Sequence, residues 1–230
     1  MGYSPGMLQT RIYHSLQFDL ATSGSDRICY LLMPEAPSKD ELKWLDEMSV
    51  RFDCTLVYVS GFDWDDNFSP WPAEGLKKGE WFKGRAGMML LGLITDYFPF
   101  LEAPLKIANP RRALVGISLS GLFAVWAAHK SDAFSEVASV SGSLWYDGFP
   151  EWVAKHKVSS SVRKVYLSLG EREKNTMNAR VAKVEEATRE VAETIASQQI
   201  PVMFELNPGT HFSAPLPRLE KALAAILSEA

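Results

Sequence analysis

The sequence predicts an α/β fold in which a mostly parallel β-sheet carries helices on both faces. Short, nearly continuous apolar runs bounded by Pro, Gly or Asp are typical of strands that are covered on both faces. Between these runs lie segments whose apolar residues advance by three or four positions, as on one face of a helix. Strands and helices therefore alternate along the chain, which favours a sheet between two helical layers.

The predicted strands begin with an edge strand at residues 10–20, where apolar and polar residues are mixed. The continuous apolar runs then predict six further strands, at residues 28–33, 55–59, 113–117, 137–140, 162–169 and 201–206. Cys29 lies in the first of these runs and Cys54 directly precedes the second, and we expect both to be buried thiols rather than part of a disulfide framework.

The predicted helices lie between these strands, at residues 40–51, 87–101, 122–130 and 176–198. The last has the clearest apolar spacing, through Met177, Val181, Val184, Ala187, Val191 and Ile195. Pro217 begins a C-terminal helix, since proline favours the first helical turn. In such a fold the functional site is expected at the carboxyl ends of the strands.

Composition limits the classes of function. The chain has 230 residues, with 24 Lys and Arg against 28 Asp and Glu and a net charge of -4. Its length and the absence of linker-like segments predict a single domain over residues 1–230. The mild acidity argues against a nucleic-acid partner or an anionic membrane surface. The longest apolar run, at residues 88–94, is too short for a membrane span.

The N-terminal segment, residues 1–15, has no basic stretch followed by an apolar one, so we expect no secretory signal. Gly6 stands where a myristoylation motif needs Ser or Thr. Both features lead us to expect a cytoplasmic protein. Nothing in the sequence indicates an oligomeric state.

The segment Gly116-Ile117-Ser118-Leu119-Ser120 is the most informative one. An apolar strand leads into a serine flanked by small residues and then into a helix, which is the nucleophile-elbow pattern G-x-S-x-G with Ser120 in the last small position. Small residues are needed because strand and helix approach closely at this sharp turn. If Ser120 were the nucleophile, the bulky Leu122 would occupy a small position. Ser118 is therefore the predicted nucleophile.

The order of residues along the chain identifies the candidate acid and histidine that would act with Ser118. In α/β-hydrolases the nucleophile is followed by the acid and then by the histidine. His211 fits this order because its loop follows the strand predicted at residues 201–206. The acid should follow the strand at residues 162–169, where Glu171 and Glu173 are both within reach. We favour Glu173 and keep Glu171 as the alternative.

Several blocks of the chain resemble the esterase D-like branch of the α/β-hydrolases, the Putative esterase family, which includes enterobactin esterases and feruloyl esterases. The Ser-Leu-Trp block that ends at Trp145 and the Gly-x-x-Glu turn that ends at Glu173 are the most specific. The other similar blocks are residues 66–73, 84–87 and 99–102, the elbow with residues 121–124, and His211-Phe212. The resemblance implies an α/β-hydrolase fold and ester hydrolysis.

The oxyanion hole departs from the family pattern. The helix that follows Ser118 offers the backbone N–H of Leu119 as one donor. Family members often carry Asp-Gly where this chain has Met33-Pro34-Glu35, and proline has no N–H to donate. We predict Met33 as the second donor; the alternatives are Glu35 or an oxyanion hole that is weaker than usual.

Tryptophans near predicted strand ends favour a flat or aromatic substrate group, and we name Trp71 and Trp145 as substrate-binding residues. The acidic run Asp63, Asp65 and Asn67 with Glu74 imitates a calcium loop, but it lacks the required glycine and contains prolines. No metal or cofactor is expected.

The sequence therefore predicts a serine hydrolase of carboxylic esters. Ser118 attacks the ester, His211 transfers protons, and Glu173 orients His211. The small-molecule esters considered are aryl, feruloyl-type and siderophore-lactone esters. The alternatives are an acyltransferase that uses the same residues and a binding protein that keeps the fold without catalysis.

Overall fold

The computed structural model describes residues 8–107 and 109–228. Gly6 and the first part of the N-terminal segment, residues 1–7, lie outside the described residues, so the expectations about them are not addressed by the structure.

Ten strands are present in the described residues. They are β1 Leu8–Tyr13, β2 Leu16–Ala21, β3 Arg27–Leu32, β4 Thr55–Ser60, β5 Pro72–Glu74, β6 Trp81–Lys83, β7 Arg111–Ile117, β8 Glu136–Val140, β9 Lys164–Gly170 and β10 Val202–Asn207. Eight of them form one sheet in the order β1-β2-β4-β3-β7-β8-β9-β10, while β5 and β6 form a separate antiparallel pair. Only the β1–β2 and β2–β4 pairs of the large sheet are antiparallel. The predicted mostly parallel sheet is thus confirmed.

The described residues also contain eight α-helices. They are α1 Lys39–Phe52, α2 Trp64–Phe68, α3 Ala86–Gly92, α4 Phe98–Glu102, α5 Ser118–Lys130, α6 Phe149–Lys155, α7 Val184–Ser197 and α8 Pro215–Leu227. Residues of α1 and α8 share one apolar cluster with one sheet face, and residues of α3, α4, α5 and α7 share another. Helices therefore cover both faces, as predicted. Cys29 and Cys54 are buried free thiols.

Three predicted elements differ from the structure. The single edge strand at residues 10–20 is a hairpin, because His14 takes a left-handed turn with φ 52° between β1 and β2. Helix α5 begins at Ser118 rather than at residue 122. The helix predicted from residue 176 begins only at a 3-10 turn, Val181–Lys183, because the Asn178 side chain accepts the N–H groups of Arg180 and Val181. Met177, predicted on its buried face, is fully exposed.

The helix predicted at residues 87–101 is longer. Helix α3, a π-helical turn at Leu93–Tyr97, α4 and a 3-10 turn form one helical stretch, Ala86–Leu105, of 20 residues. By length and composition alone, this stretch could cross a membrane. Length and composition are weak evidence for a membrane span, because the core helices of soluble proteins share them. The Leu90, Leu93 and Leu101 side chains are buried in the core.

Candidate active site

Ser118 lies at the turn between β7 and α5, at the carboxyl edge of the sheet. Its backbone has φ 52°, in the left-handed region that residues other than glycine rarely adopt. A Cβ on Gly116 would lie 2.0 Å from the carbonyl oxygen of Ser120, so only glycine fits at that position. The close approach of strand and helix holds Ser118 in this strained conformation, as in a nucleophile elbow.

Ser120 has a different environment. Its side chain is completely buried, and its hydroxyl accepts the Ile117 N–H at 2.8 Å and lies 2.8 Å from the Leu32 carbonyl oxygen. These contacts join the elbow to the end of β3. A hydroxyl buried in this way cannot reach a substrate, which argues against Ser120 as the nucleophile.

His211 lies in the loop between β10 and α8 and connects Ser118 to Glu173. Its Nε2 is 3.1 Å from Ser118 Oγ, and its Nδ1 is 2.9 Å from Glu173 Oε2. An ionised carboxylate can only accept hydrogen bonds, so Nδ1 carries the proton and Nε2 is left to accept the Ser118 hydroxyl. The three side chains form one hydrogen-bonded chain in the order Ser118, His211, Glu173, an arrangement that can move a proton to and from a serine hydroxyl.

Glu173 is buried, and both of its carboxylate oxygens are occupied. Besides His211, it accepts hydrogen bonds from the Ser141 hydroxyl at 2.6 Å and from the Gly170 N–H at 2.5 Å. Burial raises the pKa of Glu173, but the hydrogen bonds from His211, Ser141 and Gly170 outweigh it, and the net pKa lies below the usual value. Glu171, the alternative acid, has an exposed side chain. The contact with His211 is made by Glu173.

Sequence reasoning missed Arg218, on α8. This arginine is only 2% exposed, and its Nη1 donates to Ser141 Oγ at 2.9 Å and lies 3.3 Å from Glu173 Oε1. Its Nη2 donates to the carbonyl oxygens of Pro208 and Thr210, at 3.1 and 2.9 Å. One guanidinium therefore contacts both the acid and the loop that carries His211. The spacing of apolar residues in α8 does not reveal this role, because it does not show that Arg218 is buried.

The predicted second oxyanion donor, Met33, is not available. Its N–H donates to the Val59 carbonyl oxygen at 2.9 Å, which extends the pairing of β3 with β4 by one residue. Pro34 has no N–H, so the next donor along the loop is Glu35, whose side chain is exposed. Leu119 lies in the first turn of α5, where N–H groups have no partner within the helix.

Ser118 and His211 lie between two cavities. The smaller one, of about 300 Å³, has mostly apolar walls, and we call it the apolar arm. Its walls include Pro34, Trp64, Ile117, Val140 and Pro215. The other, of about 540 Å³, we call the larger arm. Its walls include Leu76, Trp145, Arg172, Thr176, Asn178 and Val181.

The two predicted substrate-binding tryptophans lie in different places. Trp145 is in the wall of the larger arm. Trp71, the other predicted substrate-binding residue, lines neither arm; its ring packs with those of Phe149 and Trp152. Sequence reasoning did not select Trp64 and Phe212, although Phe212 lines both arms and is 88% exposed. A large apolar side chain next to His211 was the available signal.

The acidic run that imitated a calcium loop forms the start of α2, where the Asp63 N–H donates to the Asn67 side chain at 3.0 Å. Among residues 8–107 and 109–228, no group of three or more His, Cys, Asp or Glu lies together in a way that could hold a metal ion.

The sheet order, the elbow after β7 and the Ser118–His211–Glu173 chain define an α/β-hydrolase-fold protein. The model of the Putative esterase family matches residues 93–226, which is more than half of the chain. The protein belongs to this family. It is also similar to Uncharacterized protein YbbA of Bacillus subtilis (strain 168), with 30% identity over 112 residues. That match spans 47% of this chain and only 45% of YbbA.

Solved structures share the fold across nearly the whole chain. An IroE-like serine hydrolase from Shewanella oneidensis has a TM-score of 0.71 at 17% identity, over 96% of this chain and 79% of that one. BES protein from Bacillus cereus has a TM-score of 0.71 at 19% identity, over 100% and 98%. The enterobactin esterase FES from Shigella flexneri has a TM-score of 0.70 at 16% identity, over 96% and 62%. At these identities the similarity concerns the fold.

Proposed function

We propose that this protein is a serine esterase that hydrolyses carboxylic esters through an acyl-enzyme on Ser118. The observation that carries the proposal is the chain of hydrogen bonds from Ser118 through His211 to the buried Glu173, at 3.1 and 2.9 Å. Ser118 and His211 also line two cavities, which can hold the two halves of an ester. Membership of the Putative esterase family supports the same reaction.

In the proposed reaction, Ser118 Oγ attacks the ester carbonyl carbon while His211 Nε2 takes the hydroxyl proton. The tetrahedral intermediate collapses, the bond to the leaving oxygen breaks, and Nε2 returns the proton to the leaving alcohol. Water then attacks the acyl-enzyme with the same proton transfers, which releases the acid and restores Ser118. Glu173 holds the imidazole and stabilises its cationic form throughout.

The oxyanion of each intermediate needs donors beside Ser118. We propose that the backbone N–H groups of Leu119 and Glu35 supply them, because the Met33 N–H is bound to Val59. Such donors contribute about 3–4 kcal/mol each in serine hydrolases.

The apolar arm supports an ester with one compact apolar or aromatic half, since Trp64, Pro34 and Phe212 line it. Aryl and feruloyl-type esters fit this description. Siderophore lactones should be included in the first assays, because one structural neighbour is named an enterobactin esterase.

Labelling with a fluorophosphonate probe tests the proposal. We expect stoichiometric modification of Ser118, located by peptide mass, because only an activated serine reacts rapidly with such probes. The adduct should be absent from Ser118→Ala and should persist in Ser120→Ala, the matched control two residues away. Folded protein without an adduct on Ser118 would contradict the proposal and favour a binding protein. Product analysis with competing alcohols distinguishes hydrolysis from acyl transfer.

Two neighbouring glutamates test the identity of the acid. Glu173→Gln should lower kcat by about 10³- to 10⁴-fold, because an amide stabilises the wrong His211 tautomer and cannot stabilise its cation. Glu171→Gln should leave kcat within about twofold, since that side chain is exposed. Steady-state kinetics with 4-nitrophenyl acetate measures both. Equal losses in the two variants would show that Glu173 has no special role.

A further inference from the structure

Three segments outside the central sheet contribute to the wall of the larger arm, and we call their part of it the far wall. Leu76 comes from the loop between β5 and β6, Trp145 from the turn at residues 145–148, and Asn178 from the segment before α7. No strand pairing fixes these segments relative to one another. The shape of this arm therefore depends on the side chains that join them.

Arg180 joins all three segments. Its Nε donates to Asp147 Oδ1 at 3.0 Å, and its Nη2 lies 2.9 Å from Oδ2 as an ion-pair contact without hydrogen-bond geometry. Its Nη1 donates to the carbonyl oxygens of Glu74 and Gly75, at 2.9 and 3.0 Å. Its Cζ lies 5.4 Å from the centre of the Trp145 ring.

Only an arginine can make this set of contacts. The planar guanidinium presents several donors in fixed directions and stacks on an aromatic face, whereas a lysine ammonium is a single point of charge. The Arg180 side chain is 28% exposed and that of Asp147 is 52% exposed, so water screens this ion pair, and the two carbonyl contacts and the ring contact add to it. Arg180 thus contacts both the Trp145 ring and the backbone next to Leu76.

The turn at residues 145–148 is also held from its opposite side. Trp71 Nε1 donates to the Asp147 carbonyl oxygen at 3.0 Å, and the Tyr146 hydroxyl donates to the Trp71 carbonyl oxygen at 2.6 Å. Tyr146 is completely buried. Because Trp71 and Tyr146 fix the backbone of the turn, loss of Arg180 should move the Trp145 ring and the Leu76 loop without unfolding the turn.

We propose that Arg180 is a specificity-determining positioning residue that holds Trp145 and the Leu76 loop as the far wall of the larger arm. This inference rests on the proposed esterase function. It implies that the enzyme prefers esters with one extended half that fills the larger arm, and that Arg180 contributes to this preference without touching the reacting atoms.

A set of three esters tests this inference. 4-Nitrophenyl acetate is small, 4-nitrophenyl octanoate has an extended acyl half, and 2-naphthyl acetate has an extended alcohol half. In Arg180→Ala we expect KM to rise about tenfold for the extended ester that occupies the larger arm, with kcat/KM for the small ester nearly unchanged. Arg180→Lys should behave like Arg180→Ala, because an ammonium cannot replace the planar contacts.

Arg189→Ala is the matched control. Arg189 also pairs with a carboxylate, Glu185, and lies over an aromatic ring, Phe204, at 4.9 Å. Neither of these two partners lines either arm, whereas Trp145, the ring beside Arg180, lines the larger arm. Substitution of Arg189 should leave the ratio of kcat/KM between extended and small esters unchanged. If Arg180→Ala does not fold, Asp147→Asn weakens the same ion pair and should shift the ratio in the same direction. Adding Trp145→Leu to Arg180→Ala should change the ratio of kcat/KM between extended and small esters little further, because both substitutions disturb the same wall of the larger arm.

Failure of this inference and failure of the esterase proposal are distinguishable. Ser118-dependent hydrolysis with an unchanged ratio in Arg180→Ala and Asp147→Asn would overturn the role of Arg180 alone. An equal loss for small and extended esters would also overturn it, since that pattern indicates a general structural role. Absence of Ser118-dependent hydrolysis in the wild-type protein would overturn both.

Discussion

Replacing Ser118 or His211 by alanine is expected to lower kcat/KM by about 10⁴-fold or more, and replacing both is expected to cost no more than either alone. The reason is the 3.1 Å contact between Ser118 Oγ and His211 Nε2, through which the two side chains act as one unit. Without the imidazole the hydroxyl is a weak nucleophile, and without the hydroxyl the imidazole has no proton to accept. The residual rate would come from the oxyanion donors and from substrate binding.

The measurement is kcat/KM for 4-nitrophenyl acetate in the two single variants and the double variant. Each protein is purified in parallel and checked for folding by circular dichroism. Ser120→Ala is the control, because its hydroxyl contacts only backbone atoms near the elbow. A Ser118→Ala protein with a tenth or more of the wild-type rate would show that another residue attacks the ester. Losses that add in the double variant would show that the two residues act independently.

Replacing Arg218 by methionine is expected to destabilise the fold by about 3–5 kcal/mol, the range for removing one partner of a buried ion pair. Methionine fills similar volume but leaves Glu173 without its cation and the carbonyls of Pro208 and Thr210 without a donor. Because the same guanidinium supports the His211 loop, kcat should also fall in whatever fraction of the protein remains folded. Urea unfolding at neutral pH measures the first effect, and active-site titration followed by kinetics measures the second.

Arg51→Met is the matched control for this prediction. Arg51 forms an ion pair with Glu220, on the same helix as Arg218, but both partners are exposed. Such surface pairs contribute about 0–1 kcal/mol. The double variant Arg218→Met/Glu173→Gln should recover part of the lost stability, because it removes the uncompensated buried charge. Equal destabilisation by Arg51→Met and Arg218→Met would contradict a structural role for the buried arginine.

The sequence alone was sufficient for the α/β fold with its mostly parallel sheet, for the family, and for Ser118 and His211 as the predicted reacting pair. The physical reason is that the strands and the elbow are local features, while His211 was selected by its order along the chain. A strand covered on both faces needs a continuous apolar run, and a nucleophile elbow needs small residues at fixed positions next to one serine. Gly116 illustrates this, since a single Cβ there would collide with the backbone of the next helix.

The tertiary structure decided what depends on contacts between distant segments. Glu171 and Glu173 share one short turn, and only the packing of that turn against Ser141 and the His211 loop distinguishes them. The Met33 N–H was lost as an oxyanion donor because β4 pairs with it. Arg180 joins residues 74–75 to Asp147, and Arg218 joins α8 to the turn after β9. Local patterns do not encode hydrogen bonds that cross from one segment to another, because their geometry exists only once the sheet has assembled.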